Sequence, residues 1–347
     1  MYLITFGTRP ELIKLIPLIN YFKKEGIQYK TLFSGQHENL IEDFYKYVDN
    51  PDFIFNDVME HNQTLNKLTS KIIIKMDEIY NNHIFQYVIV HGDTTTAYAI
   101  ALSAFNRCFK VIHLEAGLRT DNKYSPYPEE LNRRMISQIA DIHLCPTPLS
   151  VDNLNNEKIT KNVYLVGNTI VDVYKLILNT TSISSEIQNI INKYKKYIVV
   201  TLHRRENRGD KMNLMWEQLN KLTTNYHFVY ITHPALPESV KILNNMTILT
   251  PQNYENMVHL ISNSYGIITD SGGIQEEAVC AMKKVLVCRD TTERPETINS
   301  GLGKLIDTNI EDNISFLDEI IDFNIIKNPY GINVCNKIHS VLMGIHS

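Results

Sequence analysis

The chain has 347 residues, with 34 Lys plus Arg against 38 Asp plus Glu and a formal net charge of −4. That balance excludes a general nucleic-acid binder or a polybasic membrane-surface protein, and no apolar run approaches the ~20 residues of a membrane-spanning helix. The five cysteines (Cys108, Cys145, Cys280, Cys288, Cys335) form no CxxC pair, so neither a disulfide framework nor a thiolate zinc site is indicated.

Met1 to Gly7 lacks the charged start and long apolar stretch of a signal peptide, so a cytoplasmic chain is expected. Short β-branched runs at Tyr2–Phe6, Tyr29–Phe33, Tyr87–His91, Lys110–Leu114 and Ile142–Cys145 are predicted strands. Helical spacing lies between them at Leu12–Lys23, Leu65–Tyr80, Thr94–Ala104 and Pro128–Ile139. This alternation predicts a parallel sheet with helices on both faces. Around Asn179–Ser185 the apolar periodicity gives way to small polar residues, a boundary region. Strands then resume at Tyr197–Leu202, Phe228–Thr232, Thr247–Leu249, Gly266–Thr269 and Val285–Cys288, and a short helix follows Pro329, ending near Ile345. Two α/β units in tandem make a cleft between them the default ligand site.

The candidate chemistry sits where predicted strands end. Gly7-Thr8-Arg9-Pro10-Glu11 holds one glycine, so it is neither GxGxxG nor a P-loop. Arg9 at a helix start, with Lys14 about a turn later, suits an anionic group; a solvated arginine on a plain turn fits equally. Asp93, in His91-Gly92-Asp93-Thr94, follows one strand end, and Glu115, in His113-Leu114-Glu115, follows the next. Either Asp93 or Thr94 is a natural helix cap. Neighbouring parallel strands open onto one crevice, however, and two carboxylates sharing it have their pKa values pushed apart, as proton transfer needs. Glu129, after Pro128, reads as a first-turn helix residue with an ordinary i,i+4 pair to Arg133.

In the second half, His203-Arg204-Arg205 reads as a phosphate clamp or a charged loop, with His203 able to protonate a leaving oxygen. Ser271-Gly272-Gly273 lets backbone N–H groups approach a phosphate at a helix start, although tight turns use the same residues. Glu277, one turn on, can accept from both ribose hydroxyls, and Arg294 can face the same phosphates. His91 with Asp93 and His113 with Glu115 are His-x-acid pairs, but a hydrogen-bonded core histidine is the commoner outcome. No metal is expected.

These motifs, with Gly35-Gln36-His37, Gly167-Asn168-Thr169 and Asn328-Pro329-Tyr330-Gly331, occur in an order that resembles the bacterial non-hydrolysing UDP-N-acetylglucosamine 2-epimerases. The resemblance implies α/β architecture of the glycosyltransferase-B fold, two Rossmann-like domains with a central cleft. It implies an N-terminal domain at 1–168 with the acid/base carboxylates and a UDP-binding domain at 169–329. A terminal helix at 330–347 would cross back to the first domain. It implies no cofactor and no metal. The implied reaction is anti-elimination of UDP from UDP-GlcNAc to 2-acetamidoglucal, then re-addition with protonation of C2 from the opposite face, giving UDP-ManNAc for surface polysaccharide synthesis.

Carried over residue by residue, the implied catalytic groups are Asp93, Glu115, Glu129 and His203. Arg9, Lys14, Ser271, Gly272, Gly273, Glu277 and Arg294 would bind substrate. A second UDP-GlcNAc, bound as an activator, would involve Gln36, His37, Arg204 and His233. A homodimer is also implied, with neither nucleic acid nor membrane as partner. Three positions depart from the family: Asn39 stands where a longer Gln is frequent, Asn62 replaces an Arg, and Ile332 stands where Asp is usual. Losing a cation at 62 weakens contact with a diphosphate-bearing activator. A hydrolysing relative releasing free ManNAc and UDP, a glycosyltransferase of the same fold and a non-catalytic sensor are the alternative readings.

Overall fold

The computed structural model describes residues 1–35, 42–60, 62–180, 183–232, 244–322 and 325–346. They form two compact units, one of Met1–Val173 with the chain from Tyr330 onward, the other of Tyr174–Pro329.

The first unit runs β1 (Tyr2–Phe6), α1 (Arg9–Lys24), β2 (Tyr29–Phe33), β3 (Phe53–Ile54), α2 (Leu65–Asn82), β4 (Tyr87–His91), α3 (Thr95–Asn106), β5 (Lys110–Leu114), α4 (Glu129–Ile139), β6 (Ile142–Cys145), α5 (Pro148–Asn156) and β7 (Val163–Leu165). The strands order as β3-β2-β1-β4-β5-β6-β7, every pair parallel. Successive strands add to one side of β1 and then, from β4, to the other. The loops after β1 and β4 therefore part company, opening the crevice typical of a topological switch point. Leu3, Val88 and Val111 of the sheet pack with Ile72 and Met76 of α2 and Ile100 of α3.

Helix α6 (Ile170–Thr180) spans the junction of the units. The second unit continues with α7 (Ser185–Lys193), β8 (Tyr197–Thr201), α8 (Asp210–Leu222), β9 (His227–Ile231), β10 (Met246–Leu249), α9 (Tyr254–Asn263), β11 (Gly266–Thr269), α10 (Gly272–Cys280), β12 (Val285–Val287), α11 (Pro295–Asn299) and β13 (Gly303–Leu305). Its parallel sheet orders as β10-β9-β8-β11-β12-β13, with the switch point between β8 and β11. Ile198 and Val200 point to α8, where Trp216 and Leu219 wait, while Tyr197 and Val199 face Leu260 and Ile261 of α9. Both faces of the strand are covered, which is why it reads as a continuous apolar run. Helix α12 (Val334–His346) belongs to the first unit, against α1.

The long apolar strands lie within a residue or two of their predicted places. The structure adds β3, β7 and β13, each only two or three residues long, too short to show an alternation. The polar stretch 179–185 spans the end of α6 and the start of α7. Among the described residues no helix is long and apolar enough to cross a membrane.

Candidate active site

In the first unit the candidate residues sit at the switch point. Pairing of His91 with Leu114 brings the ends of β4 and β5 level, so Asp93 and Glu115 follow adjoining strand ends. Buried Glu11 ties the two diverging loops together. Its Oε2 accepts from the Gly7 and Thr8 N–H groups at 2.8 and 2.7 Å, and its Oε1 from the Thr94 hydroxyl at 2.7 Å. Burial raises the Glu11 carboxyl above its ordinary value even against those hydrogen bonds. Arg9, at the start of α1, lies with its guanidinium 5.4 Å from the Phe44 ring centre.

Glu115 occupies left-handed backbone at φ +65°, a conformation costing a non-glycine residue about 1–3 kcal/mol and concentrated at functional sites. Its Oε2 meets Lys14 Nζ at 2.5 Å and Asn168 Nδ2 at 3.3 Å, with His91 Nε2 3.7 Å away. Lys14 and Glu115 are both nearly sealed from solvent, so each charge depends on the other.

Thr94 is the cap of α3, its hydroxyl accepting from the Ala97 N–H at 3.1 Å. Asp93 is thereby released from capping. It pairs instead with Arg133, which also meets Glu130 Oε2 at 3.0 Å. The expected Glu129–Arg133 pair is therefore a misassignment. Arg133 gives its donors instead to fully buried Glu130, one turn along α4, and to Asp93 from the loop after β4. Glu129, at the first position of α4, has a buried Oε2 that accepts no hydrogen bond. Burial, and then the Asp93 charge, raise its carboxyl above the usual range. One carboxylate thus faces a guanidinium while its neighbour is pushed towards the protonated form.

His113 donates from Nε2 to the Gly92 carbonyl at 2.8 Å, and burial pushes it down to about 3. It is a neutral core histidine carrying the loop that bears Asp93. The unfolded chain takes up that proton near the ordinary 6.5, so between there and about 3 it binds more protons than the folded chain. Stability is expected to fall as pH drops through that window. In urea unfolding at pH 7.5 and 5, His113→Gln should lose less stability on acidification than the unsubstituted protein; an equal loss would exonerate this histidine.

In the second unit Asp270, with no exposed surface, organises the loop after β8. Its carboxylate accepts the His203 N–H at 2.9 Å, the Arg204 N–H at 2.9 Å and Asn207 Nδ2 at 3.0 Å, and lies 3.2 Å from His203 Nδ1. Ser271 is the N-cap residue of α10, and its N–H donates to Thr269 Oγ1 at 3.0 Å. A side chain at Gly272 would bring a Cβ to 2.6 Å from Glu293 Oε1, and Glu293 is pinned by Arg289 at 2.7 Å. Gly273 has open space where a Cβ would lie. Arg294 is set by Glu276, Nε to Oε1 at 2.7 Å. Burial alone would raise Glu293, but Arg294, Arg289 and Arg204 together pull it lower. Glu277, largely buried on the next turn of α10, lies close enough to raise the hydroxyls of Tyr174 and Tyr254 beyond what burial does.

Each unit thus assembles its own share of the candidates: Lys14 with Glu115 and Asp93 beside Glu129 in the first, His203 and Arg294 on anchored loops around the α10 start in the second. Gln36, His37, Asn39 and His233 lie outside the described residues. Arg204 is described, 2.9 Å from Glu206. Sequence reasoning missed the supporting roles of Glu11, Glu130, Arg133, Asn168, Asp270 and Glu276. Asp270 did carry a signal, an acid directly ahead of a glycine turn where backbone donors converge.

A sequence model of the family described as UDP-N-acetylglucosamine 2-epimerase matches residues 20–343. The UDP-N-acetylglucosamine 2-epimerase of Salmonella borreze is 39% identical over 331 residues, covering 90% of this chain and 87% of its own. That of Campylobacter jejuni is 38% identical over 373 residues, covering 98% and 97%. Among solved structures, UDP-GlcNAc 2-epimerase from Neisseria meningitidis bound to UDP-GlcNAc matches with a TM-score of 0.87 at 35% identity, over 99% of this chain and 100% of that one.

Proposed function

This chain belongs to the UDP-N-acetylglucosamine 2-epimerase family, whose members are isomerases, and we propose that it interconverts UDP-GlcNAc and UDP-ManNAc without net hydrolysis. The C2 proton of the sugar is not acidic, so its removal is coupled to loss of the diphosphate from C1. A carboxylate takes the C2 proton, the C2–H electron pair becomes the C1=C2 bond of 2-acetamidoglucal, and the anomeric C–O bond breaks to release UDP. UDP then adds back to C1 while C2 receives a proton on its other face.

The observation that carries this reading is the contrast between Asp93, ion-paired to Arg133, and Glu129, raised by burial and left with an unpartnered oxygen. A base and an acid in one place are what two opposed proton transfers require. Glu115 with Lys14 supplies a third carboxylate. Arg9, His203, Arg294 and the backbone N–H groups of Ser271, Gly272 and Gly273 are the donors for the departing diphosphate; one well-aimed donor is typically worth about 3–4 kcal/mol of barrier. Glu277 takes the ribose. The same reading has a second UDP-GlcNAc activating through Arg204, which sigmoidal initial rates would reveal, and a homodimer, which ultracentrifugation would reveal.

Incubation with UDP-GlcNAc in D2O, followed by NMR, is expected to give UDP-ManNAc deuterated at C2. Free ManNAc with stoichiometric UDP would replace this reading with the hydrolysing one, and UDP-ManNAc without deuterium would remove the proton-transfer mechanism.

A further inference from the structure

The C-terminal segment ends its return to the first unit next to Glu115's support. The Tyr330 carbonyl accepts the Asn168 N–H at 3.0 Å. This approach is possible because Gly167, at φ +102°, has no side chain; a Cβ there would lie 2.4 Å from the Tyr330 oxygen. Asp172 fastens the same segment, its carboxylate accepting the Val334 and Cys335 N–H groups at 3.2 and 2.8 Å where α12 begins. Asn168 is 4% exposed. Its Oδ1 accepts the Ile170 N–H at 3.0 Å, which fixes the orientation of the amide and aims Nδ2 at Glu115 Oε2, 3.3 Å away. Lys14 reaches that same oxygen.

We propose that Asn168 is a positioning residue for Glu115, seated by the returning C-terminal segment and holding the carboxylate in its left-handed backbone setting. The proposal rests on the reading of Glu115 as an acid/base group. The competing role is simple capping of α6 through Oδ1. Capping needs only an acceptor, which Asp or Ser supplies as well as Asn; positioning needs the Nδ2 donor, which both lack.

Asn168→Asp and Asn168→Ser are therefore compared with the unsubstituted protein, with Glu115→Gln alongside. Loss of a hydrogen bond to a charged group is expected to lower kcat roughly tenfold in both Asn168 variants, with KM for UDP-GlcNAc little changed and, in Asn168→Ser, the melting temperature little changed. Asn168→Asp should also move the acid limb of the kcat–pH profile upward, because a second carboxylate disfavours ionised Glu115 even with Lys14 on α1 and His91 on β4 facing it. If Asn168→Asp fails to fold, Asn168→Ser decides through kcat at unchanged KM. Unaltered kcat and pH profile, with Glu115→Gln inactive, overturn the positioning role alone. Turnover by Glu115→Gln overturns the reading of Glu115 and the proposal with it.

Discussion

Asp93→Asn is expected to lower kcat by about 10²- to 10⁴-fold, the usual contribution of a placed acid–base group, while UDP binding measured by calorimetry changes less than twofold. The amide has the carboxylate's shape but cannot take a proton. Asn132 Nδ2 still holds the residue 93 carbonyl at 2.9 Å, and Arg133 keeps Glu130 as a charged partner, so the loop has reason to stay where it is. UDP should notice little, since its proposed donors include His203, Arg294 and the α10 start in the other unit. Near-normal turnover would remove Asp93 from the chemistry.

The second large effect is expected at Asp270. Asp270→Asn turns one acceptor of a crowded carboxylate into an NH2 group. Oδ2 accepts three donors and Oδ1 faces His203 N and Nδ1, so either orientation of the amide sets donor against donor. Leaving such groups unpaired in a fully buried setting costs about 1–3 kcal/mol. The urea midpoint should fall accordingly. UDP affinity should drop at least about tenfold, a loss of 1.4 kcal/mol, because the His203–Arg204 turn loses its anchor. An unchanged midpoint with unchanged UDP affinity would mean that Asp270 organises nothing.

These two residues also mark where reading a sequence stops. Strands such as Tyr2–Phe6 and Tyr197–Thr201 were legible because both faces are buried, leaving uninterrupted apolar runs bounded by polar turns. β3, β7 and β13 were not, because a strand of two or three residues takes its identity from the neighbour it pairs with. In the site, residue types at strand ends announced Asp93, Glu115 and the Ser-Gly-Gly turn. Partner choice stayed hidden. Spacing along α4 nominated Glu129 for Arg133, whereas the fold delivers Asp93 from forty residues earlier. Asn168 meets Glu115 across 53 positions, a separation no helical or strand period encodes.

The first unit is interrupted in sequence: Tyr330, Val334 and Ile338 are buried parts of it, yet they are made after the whole second unit. During synthesis, the apolar surface they cover stays open until the ribosome has made the whole second unit, so the first unit reaches its mature form only after the unit that interrupts it. A frameshift or protease cut just before Tyr330 therefore injures the unit that begins at Met1 rather than the one it follows.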